Sequence, residues 1–169
     1  MRFEKVSYDQ FAADMEKWMP DMSKMLYKRF YDRVTLPKRQ TKGSAGYDFV
    51  TPVRIMLEPG QQAVIPSGIR AVFSDEELET WHLEVFAGQA CRSREGLNIT
   101  NQVEIINADH FQGENGGDIL LALKNTNRKI IDIAPEERIC QGIFKIHGLT
   151  SDDDAEGHRS GGVGSTGKQ

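Results

Sequence analysis

Arg54-Ile-Met-Leu-Glu-Pro-Gly-Gln-Gln-Ala-Val-Ile-Pro-Ser-Gly-Ile-Arg-Ala-Val-Phe73 sets the pattern for most of this chain. Apolar runs at 54–57, 63–65 and 69–73 alternate with the breaks Glu58-Pro-Gly60 and Pro66-Ser-Gly68. Proline presets a turn dihedral and glycine accepts the left-handed one, so each break reverses the chain. The runs are too short for helices and suit strands. Downstream, Trp81-His-Leu-Glu-Val-Phe86 alternates, with Trp81, Leu83 and Val85 on one face. Further strands are expected at 103–106, 119–123, 129–133 and 139–146. Many short strands at this spacing predict a mainly β fold, a sandwich or jelly roll. No internal repeat is evident.

The two ends depart from that pattern. In residues 1–34, Ser7 is placed to cap a helix from about Tyr8, and Phe11, Met15, Trp18 and Met19 fall at helical spacing. Pro20 should break the helix, and a second is expected from Asp21 to about Arg33. Residues 151–169 are acidic, then rich in glycine, serine and threonine, a composition that cannot pack a core. The expected organisation is a helical extension at 1–34, a β body at 35–150 and a mobile tail at 151–169.

Composition narrows the partners. The 169 residues carry a formal net charge of −4. Broad affinity for nucleic acid or anionic membrane needs a basic surplus that is absent. Cys91 and Cys140 stand in no metal-ligand spacing and read as buried free thiols. No apolar run approaches the ~20 residues of a membrane span. The N-terminus is charged and amphipathic, so the chain reads as soluble and cytoplasmic.

The tail Arg159-Ser-Gly-Gly-Val-Gly-Ser-Thr-Gly-Lys168 has a chemical use. Glycines allow successive N–H groups to line one concavity that suits phosphate oxygens. Ser165 and Thr166 add hydroxyls, Arg159 a bidentate guanidinium and Lys168 a point charge. A solvated tail would have the same composition.

Other segments resolve that ambiguity. Ser44-Ala-Gly-Tyr-Asp48 resembles the first motif of trimeric dUTPases, Asn101-Gln-Val-Glu-Ile-Ile106 the start of their third, and Arg138-Ile-Cys-Gln-Gly-Ile-Phe144 their fourth. The tail resembles their fifth, and order and spacing agree over about residues 36–169. The N-terminal helices look like those of the Gram-positive bacterial and phage type. The resemblance implies a dUTPase-like jelly roll (a β-clip type barrel), assembled as a homotrimer with three sites at subunit interfaces. It implies a nucleotide ligand bound with Mg2+, and water attack on the α-phosphorus of dUTP to give dUMP and pyrophosphate.

The departures fall at chemical positions. Where the family has the aspartate that orients the attacking water, this chain has Asn107, whose amide cannot take the proton. Asp109 is the candidate substitute base. His110 matches the tyrosine under the deoxyribose, and a smaller polar ring could admit ribose. Glu104 replaces a glycine near the base hairpin, to which Ile106 belongs. For the second motif two alignments stay open. The gap-free one puts Gly88, Gln89 and Ala90 at Arg-Ser-Ser and removes those phosphate contacts. The shifted one uses Arg92 and Ser93 as a phosphate site. Val163 stands for the phenylalanine that stacks on uracil. Asn101, Gln141, Arg159, Ser165 and Thr166 are retained as ligand-binding candidates, while Asp48 and Gln141 also have structural explanations. His82 and His147 receive no chemistry, and His158 reads as solvated tail.

Three readings follow. One is a catalytically impaired nucleotide binder that sequesters its ligand, in the manner of a phage protein acting against host defence. The second is an active dUTP diphosphatase using Asp109. The third is a regulatory module whose residues 7–34 or 88–98 meet a host protein.

Overall fold

A computed structural model describes residues 1–87, 95–113 and 116–157. Its strands are β1 (Arg2–Lys5), β2 (Tyr47–Val50), β3 (Ile55–Leu57), β4 (Gln62–Pro66), β5 (Ile69–Val72), β6 (Trp81–Phe86), β7 (Leu97–Ile99), β8 (Val103–Asn107), β9 (Leu120–Asn125), β10 (Ile131–Ile133) and β11 (Arg138–Ile146). Helices α1 (Tyr8–Trp18) and α2 (Lys24–Arg33) precede the body, and a 3-10 turn at Ala108–Gln112 follows β8. The sheets run β2-β11-β6-β8, β4-β9-β7, β1-β5 and β10-β3. Every pairing among the described residues is antiparallel. This is the mainly β architecture that the runs and turns predict.

Alternation decides which side chains meet. On β6, Leu83 and Val85 are buried and His82, Glu84 and Phe86 face the other way. The core joins Phe49, Leu83, Val85, Leu121, Leu123 and Ile133 with Ile55 and Ile65. Each such side chain contributes roughly 1.5–3 kcal/mol on leaving water. Cys140 is buried in that core, and Cys91 lies outside the described residues.

The N-terminal region differs from its sequence reading in two ways. Residues 2–5 form a strand that pairs with β5, because Phe3 reaches the aromatic cluster of Tyr47, Phe49 and Phe144. The second helix begins at Lys24, not Asp21. Ser23 caps it through Leu26 N–H at 3.3 Å, while Asp21 takes a left-handed φ of 67° in the turn. Ser7 caps α1 as expected, accepting from Gln10 N–H at 3.2 Å.

Both helices are tied to the body. Phe11 and Met15 are fully buried, Tyr27 hydroxyl donates to Met19 O at 2.7 Å, and Tyr31 hydroxyl donates to Val6 O at 2.6 Å. Gly68 sits at the junction with φ +71°, and a Cβ there would lie 2.9 Å from Val34 Cγ2 and 3.0 Å from Phe11 Cδ2. Gly68→Ala therefore combines left-handed strain with overpacking and should cost about 2–4 kcal/mol. Urea unfolding should show the midpoint fall with little change in slope. An unchanged midpoint would mean that α1 does not pack on this turn in solution.

Candidate functional site

The first cluster joins β2 to β11. Asp48 and Gln141 are register partners, and Gln141 Nε2 donates to Asp48 Oδ1 at 3.2 Å. Arg138 Nη1 reaches Asp48 Oδ2 at 3.2 Å. The Asp48 backbone also exchanges hydrogen bonds with Lys38, at 2.9 and 3.4 Å. Gly46 lets this lock close, since a Cβ there would stand 2.1 Å from Gln141 Cδ. Asp48 thus orients Gln141 and Arg138, a positioning role that the residue types alone left open.

The second cluster lies where β8 runs into the 3-10 turn. Asn107 is exposed and faces His82 across the β6–β8 ladder. Ile106 points to the opposite side and is 4% exposed, so its side chain belongs to the core. A ligand would meet its main chain. Glu104 shares that inner side with Ile106, and partial burial pushes its carboxyl above the usual range. Asp109 is half-buried. His110 is 3% exposed, with Nε2 3.2 Å from the Asp118 carbonyl. A sugar would reach that ring only if the turn moved. Asn101 is exposed in the turn between β7 and β8, its carbonyl accepting from Val103 N–H at 2.7 Å.

Asp118 is the residue that the sequence reading missed. It is 1% exposed, and Oδ1 accepts from Gly68 N–H at 2.9 Å and Ser67 hydroxyl at 3.2 Å. Burial, reinforced by the nearby Asp14 carboxylate, pushes its carboxyl up to about 7. Its place after Gly116-Gly117 and before an apolar strand marks a turn in the sequence, but not this burial.

Gly88, Gln89, Ala90, Arg92, Ser93, Arg159, Val163, Ser165 and Thr166 lie outside the described residues. Within one chain the two clusters stay apart. Asn107 lies in the His82 row of the sheet and Gln141 in the Phe86 row, two strands over. That offset is roughly 14 Å along the strands and roughly 10 Å across them. Two open clefts, of about 460 Å³ between α1 and β4 and about 370 Å³ beside Phe3, Tyr47 and Phe144, include none of Asn107, Asp109 or Gln141. Among the described residues no three His, Cys, Asp or Glu side chains converge on a point. They offer no cage for Mg2+, which prefers oxygen ligands and keeps to phosphates and water.

Comparisons with known proteins agree with this architecture. The dUTPase family model matches residues 32–167. The deoxyuridine 5'-triphosphate nucleotidohydrolase of Lactococcus lactis subsp. lactis is 29% identical over 137 residues, covering 79% of this chain and 89% of that protein. The same-named protein of Baumannia cicadellinicola is 32% identical over 123 residues, covering 72% of this chain and 76% of its own. The crystal structure of dUTPase from Streptococcus mutans superposes with a TM-score of 0.66 at 23% identity, over 89% of this chain and 99% of that one. A Staphylococcus bacteriophage 80alpha dUTPase G164S mutant, solved with dUpNHpp, gives 0.59 at 19% identity, over 81% and 89%. The chain belongs to the dUTPase family.

Proposed function

We propose that the chain hydrolyses dUTP to dUMP and pyrophosphate, at sites assembled between the subunits of a homotrimer and at a rate held down by Asn107. The family match across residues 32–167 carries this reading. The separation of Asn107 from the Asp48–Gln141 lock supports it, since a site using both must draw on more than one chain. Bound with the triphosphate, Mg2+ would supply charge neutralisation. Arg159, Ser165, Thr166 and the tail N–H groups would hold the phosphates. Gln141, oriented by Asp48, would face a phosphate or its water. Asn107 Oδ1 can accept a hydrogen bond from the attacking water and so orient it. The proton lost as the water oxygen bonds to the α-phosphorus goes to Asp109, and the pyrophosphate leaves. Val163 offers no ring to uracil, a loss of ~1–3 kcal/mol of stacking.

A second reading is a nucleotide held without turnover, and the amide of Asn107 favours it. One experiment separates the two. Purified protein with Mg2+ and dUTP should release pyrophosphate, and Asp109→Asn should abolish the release. A turnover near ~1–10 per second would exclude the binding-only reading. Calorimetric binding of dUTP with no pyrophosphate would exclude hydrolysis. Unchanged turnover in Asp109→Asn would remove that residue as base.

A further inference from the structure

His147 belongs to neither cluster described above, and His82 enters the second only as the cross-strand neighbour of Asn107. His82 lies on the outer face of the four-stranded sheet, in register with Asn107 on β8 and Lys145 on β11. His147 follows β11, and its main-chain N–H donates to Thr80 O at 2.8 Å, which sets it beside the start of β6. The two rings lie 5.2 Å apart at 54°, with their Nδ1 atoms 3.1 Å from each other. The other nitrogen of His82, Nε2, is 3.3 Å from Glu84 Oε1. Glu84 Oε2 in turn receives the Lys145 ammonium at 2.5 Å.

This arrangement fixes a tautomer. A carboxylate only accepts, so a neutral His82 carries its proton on Nε2 and turns its Nδ1 lone pair toward His147. A carboxylate behind one ring nitrogen is the usual partner of an imidazole whose other nitrogen binds a metal. Two metal–nitrogen bonds of ~2.1 Å place the nitrogens roughly 3.0 Å apart at a right angle and roughly 3.4 Å apart at the tetrahedral angle. The observed 3.1 Å falls between them. Side-chain exposures of 12% for His82 and 17% for Glu84 leave the group reachable from solvent.

We propose that His82 Nδ1 and His147 Nδ1 form a two-imidazole site for a borderline divalent cation of the zinc, nickel or copper class, with Glu84 holding His82 in the ligating tautomer. Nitrogen donors select these ions over Mg2+, so the site is chemically distinct from the metal that accompanies a triphosphate. The remaining coordination positions belong to water. The competing arrangement is a plain Nδ1–H to Nδ1 hydrogen bond.

The test is zinc titration of the full chain without nucleotide, followed by calorimetry. One zinc per chain is expected, undisplaced by millimolar Mg2+. His82→Gln and His147→Gln should each weaken it by more than tenfold, and Glu84→Gln by about 10–100-fold. No binding up to millimolar zinc would leave only the hydrogen-bonded pair, and equal binding in both histidine variants would place the ion elsewhere. Should the variants fail to fold, long-range proton–nitrogen NMR of the unaltered protein decides. Zinc-induced shifts of the His82 and His147 Nδ1 signals support the site, and shifts confined to other histidines overturn it.

Discussion

Asn107→Asp should raise the rate of dUTP hydrolysis by about 10²–10⁴-fold, the usual contribution of a positioned general base. The gain should lie in kcat, because water activation acts in the transition state and leaves ground-state binding nearly unchanged. Geometry favours the substitution. Asn107 is exposed at the end of β8, in extended conformation with φ −63° and ψ 152°, and its side chain makes no capping hydrogen bond with the 3-10 turn. An aspartate of the same size therefore fits without disturbing a buried contact. The rate of the variant should also fall at acid pH as the new carboxylate is protonated. Pyrophosphate release for the two proteins side by side checks this. An unchanged rate would mean that the reaction fails elsewhere, with the second motif, at Gly88, Gln89 and Ala90 or at Arg92 and Ser93, as the first place to look.

The second large effect is on stability. The Asp118 carboxyl sits near 7 in the folded chain, against 3.8 for the free residue. A group whose folded value is raised contributes stability that is complete below the unfolded value and is lost as pH rises through the folded one. The contribution from Asp118 should therefore fade between about pH 4 and pH 7. The loss is on the order of 4 kcal/mol over the full window. The melting temperature should rise by roughly 5–10 °C from pH 8 to pH 5. The lowered carboxyls of Glu4, Glu77, Glu84 and Asp132 act in the opposite sense, but only at more acid pH, below their usual 3.8–4.5. Asp118→Asn keeps an acceptor for Gly68 N–H and Ser67 while removing the charge. Its melting temperature should be higher than that of the unaltered chain at pH 8 and nearly flat between pH 5 and 8. A parallel pH dependence in both proteins would show that Asp118 is not the group that titrates.

Strand and turn positions were legible because they depend on local chemistry. Glu58-Pro-Gly60 and Pro66-Ser-Gly68 punctuate apolar runs at strand length, and Ser7 announces its own helix cap. Strands β1, β2 and β7 were not legible. They are three or four residues long and are held by their partners, so their own periodicity carries little signal. The motif residues could be named from the order of Gly46, Asp48, Asn101, Asn107 and Gln141, since their kinds and spacing survive in one dimension. Their geometry could not. Asp48 meets Gln141 across 93 positions, and His82 meets His147 across 65. Asp118 becomes a titrating group near neutrality only because folding buries it beside Asp14, which outweighs the hydrogen bonds from Ser67 and Gly68 that draw its carboxyl back down. Propensity and turn chemistry act between neighbours, so the residue order alone determined the β class, the turns and the family. Burial and register act between segments that meet only on folding. The lock on Gln141, the raised Asp118 carboxyl and the facing histidines were therefore decided in three dimensions.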